Sequence, residues 1–163
     1  MRAAFEFDVV QNTALSAVAI HAATLQHYQS TARTRGVAVP GLMLVLPIIL
    51  HQPSRMTVAG KVLDGSFYKA ISEDRAMVVG LQSRMQSMAS QSFRAINLAV
   101  ASGLIGIQRD AVAPGTLIPS RMSESFKASD HETRSIIAAA KRVGHWLATV
   151  QITALCSVLN VRF

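Results

Sequence analysis

At 163 residues the chain is long enough for one domain that buries roughly two-thirds of its unfolded surface. Half of it is hydrophobic and only 15% is charged, against about 25% charged in an ordinary soluble domain, so part of its apolar surface is expected to be covered in an assembly. The net charge of +7 permits contact with nucleic acid or an acidic partner, but the arginines are scattered and no run of five basic residues exists, which excludes a basic tail.

The opening MRAAFEFDVVQN carries Glu6 and Asp8 where a signal peptide would be apolar. The lone Cys156 excludes an intrachain disulfide and fits a reducing compartment. Cytoplasm is therefore the expected location. Asn12 is a good N-cap, and Leu15, Val18, Ala22 and Leu25 recur at helical spacing, so residues 12–30 read as a helix. Thr31 to Gly36 is a basic, polar linker.

Val37 to Leu50 holds 14 residues without a charge or a hydrogen-bonding side chain, short of the roughly 20 that span a bilayer. Pro40 suits a first helical turn, and Pro47 should kink the helix that contains it. Residues 37–51 thus read as a short kinked helix buried on all sides, with cover coming in part from a partner at Leu42 and Leu46. His51 is placed to cap its last carbonyls. The block lacks an amphipathic basic face, which argues against membrane attachment. QPSR after His51 reads as a turn, Met56 to Asp64 is ambiguous, and a helix is expected from Ser66 to about Ile71.

A long helix follows from about Asp74 to Ser102, with Leu81, Met85, Met88, Ser92, Ile96 and Ala99 on its buried face and Gly80 as a break. Gly103 sits where a left-handed cap would. Leu104 to Gln108 and Thr116 to Pro119, joined by a turn with Ala113, Pro114 and Gly115, read as a small β-hairpin. Helix, glycine and hairpin make residues 74–120 a winged-helix-like module. In that arrangement Arg84, Arg94, Arg109 and Arg121 are candidate phosphate contacts, and Gln91, Arg94 and Asn97 candidate base-reading residues. The same shape also serves as a protein-docking or purely structural unit.

Two helices are expected over 130–160. Ser129 and Glu132 form an S-x-x-E capping box, and Ile136, Ala140, Val143 and Leu147 form the buried stripe. Ile152, Leu155, Cys156 and Leu159 make the stripe of the last helix, with Asn160 as its C-cap and Cys156 as a buried structural thiol. Trp146, beside His145, is either an interface anchor or a core residue.

The five histidines and nine acids show no metal-ligand spacing, and no phosphate-binding glycine loop occurs. No catalytic, cofactor or metal site is predicted, and the chain is not expected to be an enzyme.

Three segments carry a family likeness: Asn12-Thr13-Ala14-Leu15 through His21 to Tyr28; Val39 to His51 with its two prolines; and Ala140-Lys141-Arg142-Val143-Gly144-His145-Trp146-Leu147-Ala148, followed by Leu159-Asn160-Val161-Arg162. The pattern resembles the small middle components of bacterial three-component ABC systems, a family that includes the small subunit of Lamassu-type antiphage defence complexes. It spans nearly the whole chain; Thr13 stands where the family often has proline, and Asn160 where it often has glycine. The resemblance implies a non-enzymatic adaptor between an SMC-like ATPase that senses foreign nucleic acid and an effector, often a nuclease. The expectation is one mainly α domain over 1–163 with one small hairpin. Its interface is expected at exposed parts of 42–50, at His51, His145 and Trp146, and at Arg162 and Phe163, with DNA contacted inside the complex. The rival reading is a free-standing winged-helix DNA-binding regulator.

Overall fold

The computed structural model describes residues 12–61, 66–109, 115–124, 127 and 130–163. Asn12 starts helix α1 (Thr13–Ser30) by accepting the Leu15 N–H on its Oδ1 at 2.9 Å, which satisfies one of the donors every helix start leaves open. Buried residues lie all round α1, from Ser16 and Ala17 to Leu25 and His27. It is therefore the central helix of the domain rather than an amphipathic surface helix. Helices α7 (His131–Thr149) and α6 (Leu81–Ala101) pack against it, and strand β2 (Leu117–Pro119) lies beside it.

The approach of α7 to α1 depends on small residues. A Cβ placed on Gly144 would run into the carbonyl oxygen of Ala23 and sit 2.9 Å from its Cα. Glycine costs about 1 kcal/mol relative to alanine within a helix; here it lets two backbones meet where a methyl group has no room.

The apolar block folds differently from a single kinked helix. It forms two short helices, α2 (Val39–Leu42) and α3 (Val45–Ile49), with the break at Met43 and Leu44. Pro47 thus lies in the first turn of α3, where its missing N–H breaks no helical bond; in a continuous helix its ring would meet the carbonyl of Met43. The chain itself supplies the cover that a partner was expected to give: Leu42 and Leu46 are fully buried. QPSR is not a turn but the first part of α4 (Gln52–Ala59), with Pro53 in the first turn. The α2–α3 pair and α4 meet at a bend of 103°. Among the described residues no single helix is long and apolar enough to cross a membrane.

Ser66 accepts the Lys69 N–H to start α5 (Phe67–Glu73). A 3-10 turn at Arg75–Met77 and left-handed Gly80 (φ 69°) then divide the expected 74–102 helix, so that α6 begins at Leu81. At its far end Gly103 adopts φ 72°; its N–H donates to Val100 O and the Leu104 N–H to Ala99 O, closing the helix as a Schellman motif. Strand β1 (Ile105–Ile107) pairs antiparallel with β2, Ile105 opposite Pro119. Val37 adds an isolated bridge to Leu117 with two N–H···O bonds of 2.8 Å. Among the described residues the structure is mainly helical with this one small two-stranded sheet.

Asp130, not Ser129, caps α7: its Oδ1 accepts the Thr133 N–H at 2.8 Å. Ser129 lies outside the described residues, as do Ala113 and Pro114 of the expected hairpin turn. Glu132 is not half of a capping box; it ion-pairs with Arg55, which is 3% exposed and also donates from Nη1 to Ile49 O at 3.0 Å. That pair ties α3 and α4 to the first turn of α7. Helix α8 (Ile152–Leu159) ends at Asn160, left-handed at φ 53°.

Candidate interaction surface

The residues proposed from sequence as contacts separate into buried and exposed sets. Trp146 is 3% exposed and meets Phe67 edge to face at 5.4 Å, so it is a core residue and not a rim anchor. Leu42 and Leu46 are core as well. His51 does not cap the apolar block; it is the residue before α4, with Nδ1 hydrogen-bonded to Ser54 Oγ at 2.7 Å. Burial, then Arg84 and Arg55, keep its pKa below the usual histidine value. His145 is half-buried, with Nδ1 hydrogen-bonded to Ser30 Oγ at 2.9 Å. Arg162 and Phe163 are exposed, and the Arg162 N–H donates to Gln82 Oε1 at 2.7 Å. Cys156 is half-buried rather than buried; desolvation raises its thiol pKa.

The four candidate phosphate contacts also divide. Arg84 is committed to the protein: Nε donates to Pro47 O at 3.1 Å, Nη1 to Val79 O at 2.7 Å and Nη2 to Met77 O at 3.1 Å. It holds the turn before α6 against α3 and is not available to a phosphate. Arg94, Arg109 and Arg121 are exposed. Of the base-reading trio, Gln91 is buried and donates to Ser16 Oγ at 3.4 Å, while Arg94 and Asn97 face outward. The three do not form one reading face.

The outer face of α6 is the more distinctive surface. Leu81, Met85, Ser92, Ala95, Ile96 and Ala99 point inward. On the opposite side Ser83, Gln86, Ser90, Phe93, Asn97 and Val100 are all exposed, at alternating spacings of three and four residues. That spacing is the heptad seam of a helix that packs lengthwise on another. The helix contains no acid, and beside the seam its exposed charge is Arg94. A solvated helix face ordinarily carries both charge signs. Phe93 is 50% and Val100 37% exposed. The sequence signal was present in the spacing, but it is uncharged and weakly apolar, so the inner stripe masks it.

A cavity of about 510 Å³ opens between the Thr31–Gly36 linker and the start of α8, lined by Arg35, Val37, Gly41, Leu147, Val150 and Ile152 among others. His27 contributes to its wall; desolvation, then the Arg35 charge, lower its pKa to about 4, so the ring is neutral at pH 7. Arg35 donates to Ala148 O at 3.2 Å. Among the described residues no group of three or more His, Cys, Asp or Glu side chains is arranged to hold a metal ion.

No curated protein and no solved structure matches this chain. A family model does: the ABC-three component (ABC-3C) system Middle Component 3 covers residues 2–163. With the double-proline block folded as α2 and α3 and the α7 segment packed on α1, the chain belongs to the Middle Component 3 family of ABC-three component systems.

Proposed function

We propose that this chain is the non-catalytic adaptor of its three-component system, joining an SMC-like ATPase that senses foreign DNA to an effector, a nuclease in a Lamassu-type antiphage complex. The reading rests on membership of a middle-component family and on one structural observation. Large apolar side chains stand in solvent, among them Val79 at 71%, Phe93 at 50%, Ile107 at 55% and Phe163 at 62% exposed. Among the described residues these are apolar side chains that a partner surface would cover. His145, Arg162 and Phe163 remain interface candidates. Rearrangement of the ATPase on DNA would pass through the adaptor and release or activate the effector.

The test is purification of the tagged chain after co-expression with the other two components of its system. Stoichiometric recovery of a coiled-coil ATPase and an effector supports the reading; recovery of the chain alone as a homodimer overturns it.

A second reading, a DNA-binding role, is favoured by the exposed guanidinium groups of Arg94, Arg109 and Arg121. Within the complex these would line a DNA path. Replacing all three by Glu should then weaken duplex binding by the assembly and flatten its salt dependence; unchanged DNA affinity would remove this part.

A further inference from the structure

We infer that the outer seam of α6 is the docking site for an amphipathic helix of a partner protein, one that presents small and apolar side chains at heptad spacing with a carboxylate beside them. The inference rests on the adaptor reading and adds to it the surface and the chemistry of what binds there.

Ser83, Gln86, Ser90, Phe93, Asn97 and Val100 form an unbroken exposed line, about 25 Å long at the helical rise. Short Ser side chains at one end let a second helix approach closely, while Phe93 and Val100 give it apolar knobs further along. Gln86 and Asn97 are polar positions of the kind that fix register in such pairs. The absence of cations on the seam itself disfavours nucleic acid, whose phosphates require them. Charge also decides against a second copy of this chain. The helix has no acid, so pairing it with itself would bring Arg94 and a net +7 toward an equal charge with no compensating carboxylate. A helix with Asp or Glu flanking its seam meets both requirements, since Arg94 stands beside the seam with its guanidinium exposed.

The experiment measures binding of the purified chain to each of the other two components, with Phe93→Glu, Ser90→Arg and Arg94→Glu as variants. All three side chains are exposed, so melting temperatures should stay within a few degrees of the parent. Phe93→Glu and Ser90→Arg should each weaken one component's binding by tenfold or more, by placing a charge on the seam. Arg94→Glu should weaken it less and reduce its dependence on salt. Unaltered affinity in Phe93→Glu overturns the inference while leaving the adaptor reading standing. A homodimer of the parent chain that Phe93→Glu dissolves overturns it in favour of self-association. Loss of duplex DNA binding alone in Arg94→Glu overturns it in favour of nucleic acid. Failure of the parent chain to bind either component removes the adaptor reading and this inference together.

Discussion

Helices α7 and α6 pack against the same central helix, yet they finish their surfaces in opposite ways. Helix α7 fits so closely against α1 that Gly144 has no room for a methyl group, and its first turn is bound through Glu132 to the buried Arg55. Helix α6 buries one stripe and leaves the other side as uncharged seam. The first arrangement spends its side chains on holding the chain together. The second leaves them unspent, and that contrast separates residues that set stability from residues open to a partner.

The contrast breaks most sharply at Gly144. Gly144→Ala drives its Cβ into the backbone of Ala23, so thermal unfolding should show a loss of about 3 kcal/mol or more, at the upper end of overpacking costs. A change under 1 kcal/mol would mean that the two helices slide apart easily. Glu132→Gln comes next. It leaves the Arg55 guanidinium buried without its counter-ion, an arrangement that costs roughly 3–5 kcal/mol when both partners are buried. Because Glu132 is about a third exposed, water screens part of that, and denaturant titration should give about 2 kcal/mol.

Acid should loosen the other end of α7, where His27 lies beside Leu147. His27 titrates near pH 4 when folded and near 6.5 when unfolded, so below pH 6.5 the unfolded chain binds the extra proton. Stability from this group is then level above about pH 7, falls as pH drops from 6.5 to 4, and falls no further below that. The steepest slope cannot exceed about 1.4 kcal/mol per pH unit for one proton. His27→Gln should remove much of the fall, leaving the part due to His51 and, toward the acid end, to Glu73, Asp74 and Asp130, whose pKa values are also lowered. An unchanged pH profile in the variant would contradict the assignment. The smallest effect belongs to the seam: Phe93→Gln should leave stability within about 0.5 kcal/mol, and a larger loss would show Phe93 to be part of the fold.

Elements governed by local chemistry were legible in the sequence. Asn12, Ser66, Gly103 and Asn160 mark helix ends through their own side chains or their tolerance of positive φ, and each stands where the sequence placed it. The inner stripe of α6 followed from spacing alone. What was not legible depends on distant partners. The break before Pro47, the helix at QPSR and the full burial of Leu42 and Leu46 follow from cover supplied by other parts of the chain. Arg55 and Glu132 are 77 residues apart, and no local pattern announces such a pair. Trp146 could have been rim or core until Phe67 was found against it. Arg84 looked like a free cation because backbone carbonyls, its actual partners, leave no trace in a sequence. The family likeness covered nearly the whole chain and was met by the family match over residues 2–163.

An adaptor is defined by what fails to assemble without it. The most direct measurement mixes the two other components of the system with and without this chain and follows their sedimentation. The account predicts one species containing all three when the chain is present, and two separate species when it is left out. Association of the other two in its absence would contradict it.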